Sequence, residues 1–419
     1  MNTAKEILYL TYDGLSDQLG QSQILPYLLI LKERGCNITI VSSEKTGNKH
    51  LISKIREKLT TAGIEWHSIQ YTKSPIIVST IFDILRINRL CLKLIRKKKF
   101  DIVHCRSYIM ALVGYSLKKK FGLKFIFDMR GFFADERIDG GIWNQHILIY
   151  RIIYRYFKKQ EATFLSKADY TICITEEAKK EIYSWRSIPG QPLPIEVIPC
   201  CSDSRKFDYH IISPEQRTMI QQKLGLSNSD FVLSYIGAVG TWYMLDEMLD
   251  FFNRLTLVYT NAKFLFITAE DPKIIENKAA EKKISRERLI IMKVLYSEVP
   301  LYLSLSQLSI FFIKPLYSKK ASSPAKQGEI MNMGIPIICN SNVGDTDRII
   351  ESTKAGAIVR TFNEDDYDYL IEKIPELLAI PKEQIRNFAL TLFSLEMGAK
   401  KYEQVYDKVL TRGDTIHCE

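Results

Sequence analysis

The chain has 419 residues, 46% hydrophobic and 25% charged, a balance that suits a globular protein of two or three domains and excludes a disordered or fibrous one. Residues 1–200 carry 31 Lys and Arg against 19 Asp and Glu, while residues 201–419 carry 27 against 29, so a basic half and a near-neutral half are expected to meet different partners. The 8 cysteines form no CxxC pair and no regular spacing, which excludes a disulfide framework and points to a reducing cytosol.

Taken in chain order, MNTAKEILYLTYDG lacks the basic leader and long apolar run of a secretory signal. KEILYLTYD reads as a strand, ILPYLLILKERG as a helix closed by Gly35, and NITIVSS as the next strand. PIIVSTIFDIL is ended by Arg86, and HILIYRIIYRYF is interrupted by Arg151 and Arg155. Neither reaches the roughly 18 apolar residues of a membrane span. FDIVHC, KFIFDM and ADYTICIT follow as strands, each after a helix-like segment. Strand alternating with helix implies a parallel sheet covered on both faces. Four prolines between Pro189 and Pro199 mark a last strand, IEVIP, and a linker. The same grammar then restarts with FVLSYIGAVG, KFLFITAE, RLIIMKV, LSIFFIK and IPIICN, and MGAKKYEQVYDKVLTR reads as a terminal helix.

The expected fold is therefore α/β: two facing Rossmann-like, doubly wound domains at residues 1–205 and 206–394, with a C-terminal helix at 395–419 packing across them. Ligands in such sheets bind at the carboxyl ends of the strands, against loop amides and helix N-termini.

The stretch SSPAKQGEIMNMGIPIICNSNVGD, Ser322–Asp345, joins a loop, a helix of about two turns and an apolar strand. Gly328 and Glu329 are expected to open the helix, with Lys326 on the loop before it. A helix N-terminus and a lysine suit a phosphate, while a carboxylate suits the vicinal hydroxyls of a ribose. Such residues also occur as a solvated loop and an ordinary helix start, and chemistry alone leaves both open.

The segment resembles the donor-binding signature of the family 4 glycosyltransferases, which have the GT-B fold, in the form S-S-P-x-K-x-x-E followed by G-x-P-V/I-I and N-x-x-V-G-D. TYDGLSDQLGQSQILPYLLILKERG, HCRSYIMALVGYSLKKKFGLKFIFDMRGFFADERIDGG, ADYTICITEEAKKEI, IEVIPCCSD and GAVGTWYMLDEML are similar to further motifs of that family, in order along nearly the whole chain. The resemblance implies a retaining, metal-independent transferase that takes a UDP- or GDP-linked sugar. Lys326 would stabilise the departing diphosphate and Glu329 would hold the ribose. The family carries a second glutamate eight residues before Glu329; here Ala321 stands at that position, which leaves the transferred sugar undefined.

Other candidates follow from the same reading. Gly237–Tyr243 lacks the Arg and Lys that many relatives place around this loop, so the amide of Gly240, with Thr241 and Trp242, is expected to serve the donor. Lys314, at the end of LSIFFIK, and Ser323 join them. The loop Asp13–Ser22 is glycine-rich, and Gly20 and Gln21 are its expected donor contacts. His104 and Arg130 are expected to follow strands and to point into the site as catalytic residues beside Lys326 and Glu329. Arg106, Asp135, Glu136 and Arg137 stand on the acceptor side. Asp345-Thr346-Asp347 and Asp366-Tyr367-Asp368 are not read as metal ligands, so no metal and no cofactor is expected beyond the nucleotide sugar. RINRLCLKLIRKKKF and HILIYRIIYRYFKK are basic and amphipathic, as in helices that lie on an anionic membrane surface.

The sequence thus reads as a cytoplasmic glycosyltransferase, peripheral at the inner membrane face, acting on a glycan or lipid-linked acceptor in bacterial surface polysaccharide assembly. A nucleotide-sugar 2-epimerase of the same fold and an idle scaffold of a sugar-assembly complex are the rival readings. Nucleic-acid binding is disfavoured, because the basic residues are not interleaved with a stacking platform.

Overall fold

The computed structural model describes residues 4–47 and 49–411. The chain forms two compact units, Met1–Pro199 with Leu395–Glu419, and Cys200–Ser394. Each is a wholly parallel sheet with helical crossovers.

The sheet of the first unit contains β1 (Lys5–Thr11), β2 (Cys36–Glu44), β3 (Glu65–Gln70), β4 (Ile102–Arg106), β5 (Lys124–Asp128), β6 (Tyr170–Cys173) and β7 (Ile195–Val197), in the spatial order β3-β2-β1-β4-β5-β6-β7. The second contains β8 (Phe231–Ile236), β9 (Ala262–Ile267), β10 (Leu289–Met292), β11 (Leu308–Phe311), β12 (Ile337–Asn340) and β13 (Gly356–Val359), ordered β10-β9-β8-β11-β12-β13. Central strands such as β4, β8, β11 and β12 are buried at every residue, because helices cover both faces of the sheet. That is why they read as continuous apolar runs.

The helix Leu395–Thr411 belongs to the first unit. Its buried face carries Tyr402, Val405, Tyr406 and Val409. Lys401 donates to the Val197 carbonyl at 2.8 Å, and Lys5 and Arg34 pair with Asp407 and Glu403. Residues 412–419 of the expected terminal helix lie outside the described residues. In the second unit, Arg386 is buried and donates to the carbonyls of Phe207 at 2.8 Å, Asn332 at 2.7 Å and Ser204 at 3.0 Å, and to Asp208 at 2.7 Å. It ties the entry of the chain into this unit to the end of the helix Ala325–Asn332.

Candidate functional site

In a doubly wound sheet the direction of winding reverses between two neighbouring strands, and the loops that leave their carboxyl ends diverge and open a crevice. In the second unit that pair is β8 and β11. The loops after them are stitched together: Tyr243 bridges Gly240 and Ile313, the Met244 amide donates to the Phe312 carbonyl at 3.0 Å, and the Lys314 amide donates to the Trp242 carbonyl at 2.9 Å.

The helix Ala325–Asn332 starts here, one residue after Pro324. Lys326, expected on a loop, is thus in the first helical turn, and Glu329 lies three residues further along the same face. The first turn holds no acidic residue and has no side-chain cap, and although the Gln327 amide donates to the Pro324 carbonyl at 2.9 Å, this end carries the positive pole of the helix dipole, which favours an anion. Gly328 allows the helix to sit where it does. A Cβ there would lie 2.9 Å from Phe393 Cβ and 3.1 Å from Ser202 Oγ.

Lys326 is buried, with Nζ 3.0 Å from the Tyr235 hydroxyl, 3.8 Å from the Tyr243 ring centroid and 4.2 Å from that of Tyr235. The Tyr235 hydroxyl in turn donates to the Ala238 carbonyl. Gly237, at φ +113°, keeps space for the amine: a Cβ there would stand 3.0 Å from Nζ. Among the described residues Lys326 has no carboxylate within ion-pair distance, and burial drives its pKa well below 10.5 despite the charge of Glu329. Glu329 accepts from the Tyr296 hydroxyl at 2.7 Å. Burial raises its pKa, against the opposing pull of Tyr296 and Lys326. A buried amine and a buried carboxyl on one helix face therefore lie where two loops diverge.

Around them, Gly240 and Thr241 are exposed with left-handed backbones at φ +86° and +48°, and Lys314 is exposed. Ser323 Oγ accepts from the Cys200 amide at 3.0 Å. Trp242 carries a partner the sequence did not suggest: Lys319 Nζ lies 3.6 Å from its ring centroid. Both Asp-x-Asp strings are engaged locally. Asp345 pairs with Arg348 and Asp347 accepts the Asn342 amide, while Asp366 accepts the Arg360 and Thr361 amides and Asp368 pairs with Arg254.

In the first unit the loop after β1 is organised by Glu44, a buried carboxylate not singled out in the sequence. It accepts from the amides of Leu15 at 2.7 Å and Ser16 at 3.1 Å, and from the hydroxyls of Ser16 and Ser42, both at 2.7 Å. Gly20 is pressed against the loop: a Cβ would fall 2.1 Å from the Gly14 carbonyl oxygen. Gln21 donates to the Leu15 carbonyl at 2.6 Å. Both residues shape the loop with these contacts.

His104 differs from expectation. β4 extends to Arg106, so His104 is mid-strand, wholly buried, 2.8 Å from the Tyr406 hydroxyl and 3.4 Å from Asp128. Burial lowers its pKa, with Arg106 and Arg130 acting the same way against Asp128. As placed, it is a neutral core group that no substrate reaches. Asp135 accepts from Tyr154 and Lys158, each at 2.9 Å. Arg137 lies over the Phe133 ring, and Glu136 is half-buried on the same short helix. Arg106 and Arg130 instead flank a second buried carboxylate, Asp128, at 3.9 Å each. Burial opposes ionisation of Asp128, but Arg130, His104 and Arg106 together hold its pKa below the usual carboxylate value.

Residues 30–206 match the family model for Glycosyltransferase Family 4. The match ends before the segment Ser322–Asp345. No curated protein matches the sequence. Among solved structures, a glycosyltransferase from Rickettsia africae superposes with a TM-score of 0.70 at 17% identity, over 97% of this chain and 99% of that one. Sucrose-phosphate synthase from Thermosynechococcus elongatus gives 0.71 at 14%, over 97% and 100%. WaaG, a glycosyltransferase involved in lipopolysaccharide biosynthesis, gives 0.65 at 15%, over 96% and 99%. The fold is that of the GT-B glycosyltransferases, with two parallel-sheet α/β domains. No helix among the described residues is long and apolar enough to cross a membrane.

Proposed function

We propose that this protein is a retaining, metal-independent glycosyltransferase that moves a sugar from a UDP- or GDP-linked donor to a glycan or lipid-linked acceptor in surface polysaccharide assembly. The observation that carries this reading is Lys326 and Glu329 on one helix face, at the switch between β8 and β11. Glu329 would exchange its bond from Tyr296 for ribose hydroxyls. Lys326 and the positive end of its helix would meet the diphosphate, whose arrival supplies the counter-charge that the buried amine lacks. In transfer, the anomeric carbon's bond to the diphosphate oxygen breaks and its bond to the acceptor oxygen forms. The electron pair goes to the diphosphate, which takes the acceptor's proton, and the protein's part is to stabilise that developing charge.

Two surfaces support a lipid-linked acceptor. On the helix Ile76–Lys97, Val78, Ile81, Phe82 and Leu85 are exposed, and on the helix Leu148–Lys167, Leu148, Ile149, Ile152 and Tyr156 are exposed beside Arg151, Arg155 and Lys159. Apolar side chains flanked by cations suit peripheral contact with an anionic membrane face. The epimerase reading needs groups that abstract a sugar proton. Its candidates are His104, which is inaccessible, and Asp135 and Glu136, of which Asp135 is held by Tyr154 and Lys158.

The test is binding of UDP, GDP and ADP to the purified protein with a chelator present. Tight binding of UDP or GDP that Glu329→Ala weakens supports the reading. Binding of none makes the idle scaffold the better account, and release of an epimer without any acceptor makes it an epimerase.

A further inference from the structure

A cavity of about 130 Å³ opens in the second unit, between the helix Pro214–Lys223 and the segments that enter β8 and β11. Leu226 to Asp230 lead into β8, and Leu305 to Gln307 lead into β11. The cavity therefore sits at the amino ends of the two switch strands, whereas the loops around Lys326 leave their carboxyl ends. At roughly ten times the volume that a single water needs, it admits a small organic molecule.

Its lining is rich in unused donors. Among the described residues the guanidinium of Arg217 makes no hydrogen bond and no ion pair. Gln307 Oε1 accepts from the Val232 amide at 2.7 Å, and Asn228 Oδ1 accepts from Gln221 Nε2 at 3.0 Å. Those bonds fix how the two amides are turned, and they leave Gln307 Nε2 and Asn228 Nδ2 without an acceptor among the described residues. A guanidinium carries five N–H donors and each amide two. Against them stands one carboxylate, Asp230, whose Oδ2 accepts the Ser227 amide at 2.8 Å and whose Oδ1 accepts from none of the described residues. Lys382 adds a second charge nearby: desolvation, and then the charge of Arg217, lower its pKa. Two cations that repel each other, neither of them ion-paired among the described residues, favour an anion. Three donor side chains match the three terminal oxygens of a phosphate ester better than the two of a carboxylate, and the free oxygen of Asp230 suits a hydroxyl.

We propose that this cavity binds a small hydroxylated phosphate ester, with Arg217, Asn228 and Gln307 on the phosphate oxygens and Asp230 accepting from a hydroxyl. The site is independent of the transferase reading. It lies at the opposite end of the sheet from the helix that carries Lys326 and Glu329, so both can be filled together.

The experiment is calorimetric titration of the full chain with glycerol 3-phosphate, inorganic phosphate and glycerate, on the wild type, Arg217→Gln, Asp230→Asn and Lys326→Met. Glycerol 3-phosphate is expected to bind the wild type and Lys326→Met alike, and Arg217→Gln at least tenfold more weakly. Arg217 is exposed, so its replacement should leave the urea midpoint unchanged. Inorganic phosphate should bind the wild type more weakly than the ester, and Asp230→Asn should narrow that gap severalfold. Absence of binding by either phosphate compound overturns the site, as does equal affinity of the ester for the wild type and Arg217→Gln. Binding lost in Lys326→Met but kept in Arg217→Gln places the anion at the nucleotide helix and overturns it as well. Glycerate bound as tightly as the ester refutes the phosphate assignment, and a gap unchanged in Asp230→Asn refutes the role of Asp230.

Discussion

Lys326 offers a prediction in which stability and function move in opposite directions. Among the described residues the buried amine has one hydrogen bond, two aromatic faces and no ion pair. Unfolded, it carries a proton up to its ordinary value near 10.5; folded, burial lowers that value. Between the two values the unfolded chain binds a proton that the folded chain lacks, so native stability rises with pH across that window. The lysine costs most below it. Deprotonating an ordinary lysine at pH 7 costs about 4.8 kcal/mol, at about 1.36 kcal/mol per pH unit, and this caps the deprotonation penalty. Lys326→Met keeps most of the apolar stem, and the Tyr235 hydroxyl keeps its bond to Ala238. Replacing a poorly compensated buried charge in this way is expected to stabilise the fold by about 1–4 kcal/mol at pH 7. The gain should shrink as pH approaches 10.5, while transfer is lost. Urea unfolding of both proteins at pH 7 and at pH 9.5 reads this directly. A less stable variant at pH 7, or a difference independent of pH, would refute the reasoning.

Four further outcomes are expected. Glu329→Ala should weaken nucleotide binding at least tenfold, because each charge-assisted bond to a ribose hydroxyl contributes about 1.5–3 kcal/mol; unchanged affinity in calorimetry removes Glu329 from the site. Gly20→Ala should destabilise the first unit by about 1–3 kcal/mol, since the clash is with the backbone of Gly14 and Leu15, and an unchanged denaturation midpoint contradicts it. Arg386→Met leaves Asp208 without its guanidinium partner and three carbonyls without their donor, and should cost about 3–5 kcal/mol in urea unfolding. A chelator should leave the transfer rate unchanged; a rate restored only by added divalent ions rules out the metal-free mechanism.

Much of the architecture was legible because central parallel strands are buried on both faces and leave uniform apolar runs, as in DIVHC, KFIFD and LSIFF. The edge strands β3, EWHSIQ, and β13, GAIV, were not legible. Each pairs on one side only and is partly exposed, so neither needs a distinctive composition. The spacing of Lys326 and Glu329 was readable as one helix face, but the start of their helix was placed too late. Pro324 serves as the N-cap, and Gly328 is tolerated inside the helix because Phe393 and Ser202 press against it. His104 looked like a residue at a strand end because nothing local shows that Tyr402 and Tyr406, from the far end of the chain, pack over it.

By itself, the sequence determined the two parallel α/β units, the order of their central strands along the chain and the spacing of the lysine–glutamate pair, since these follow from local periodicity and turn chemistry. Tertiary structure alone decided which charges are compensated. Glu44 gathers the loop after β1, Lys319 stacks on Trp242, Arg106 comes to Asp128, and Lys326 is left between two tyrosines with no carboxylate of the described residues within ion-pair distance. Each depends on residues far apart in the chain meeting in a low-dielectric interior, where the ionisation of a side chain is set by its neighbours in space.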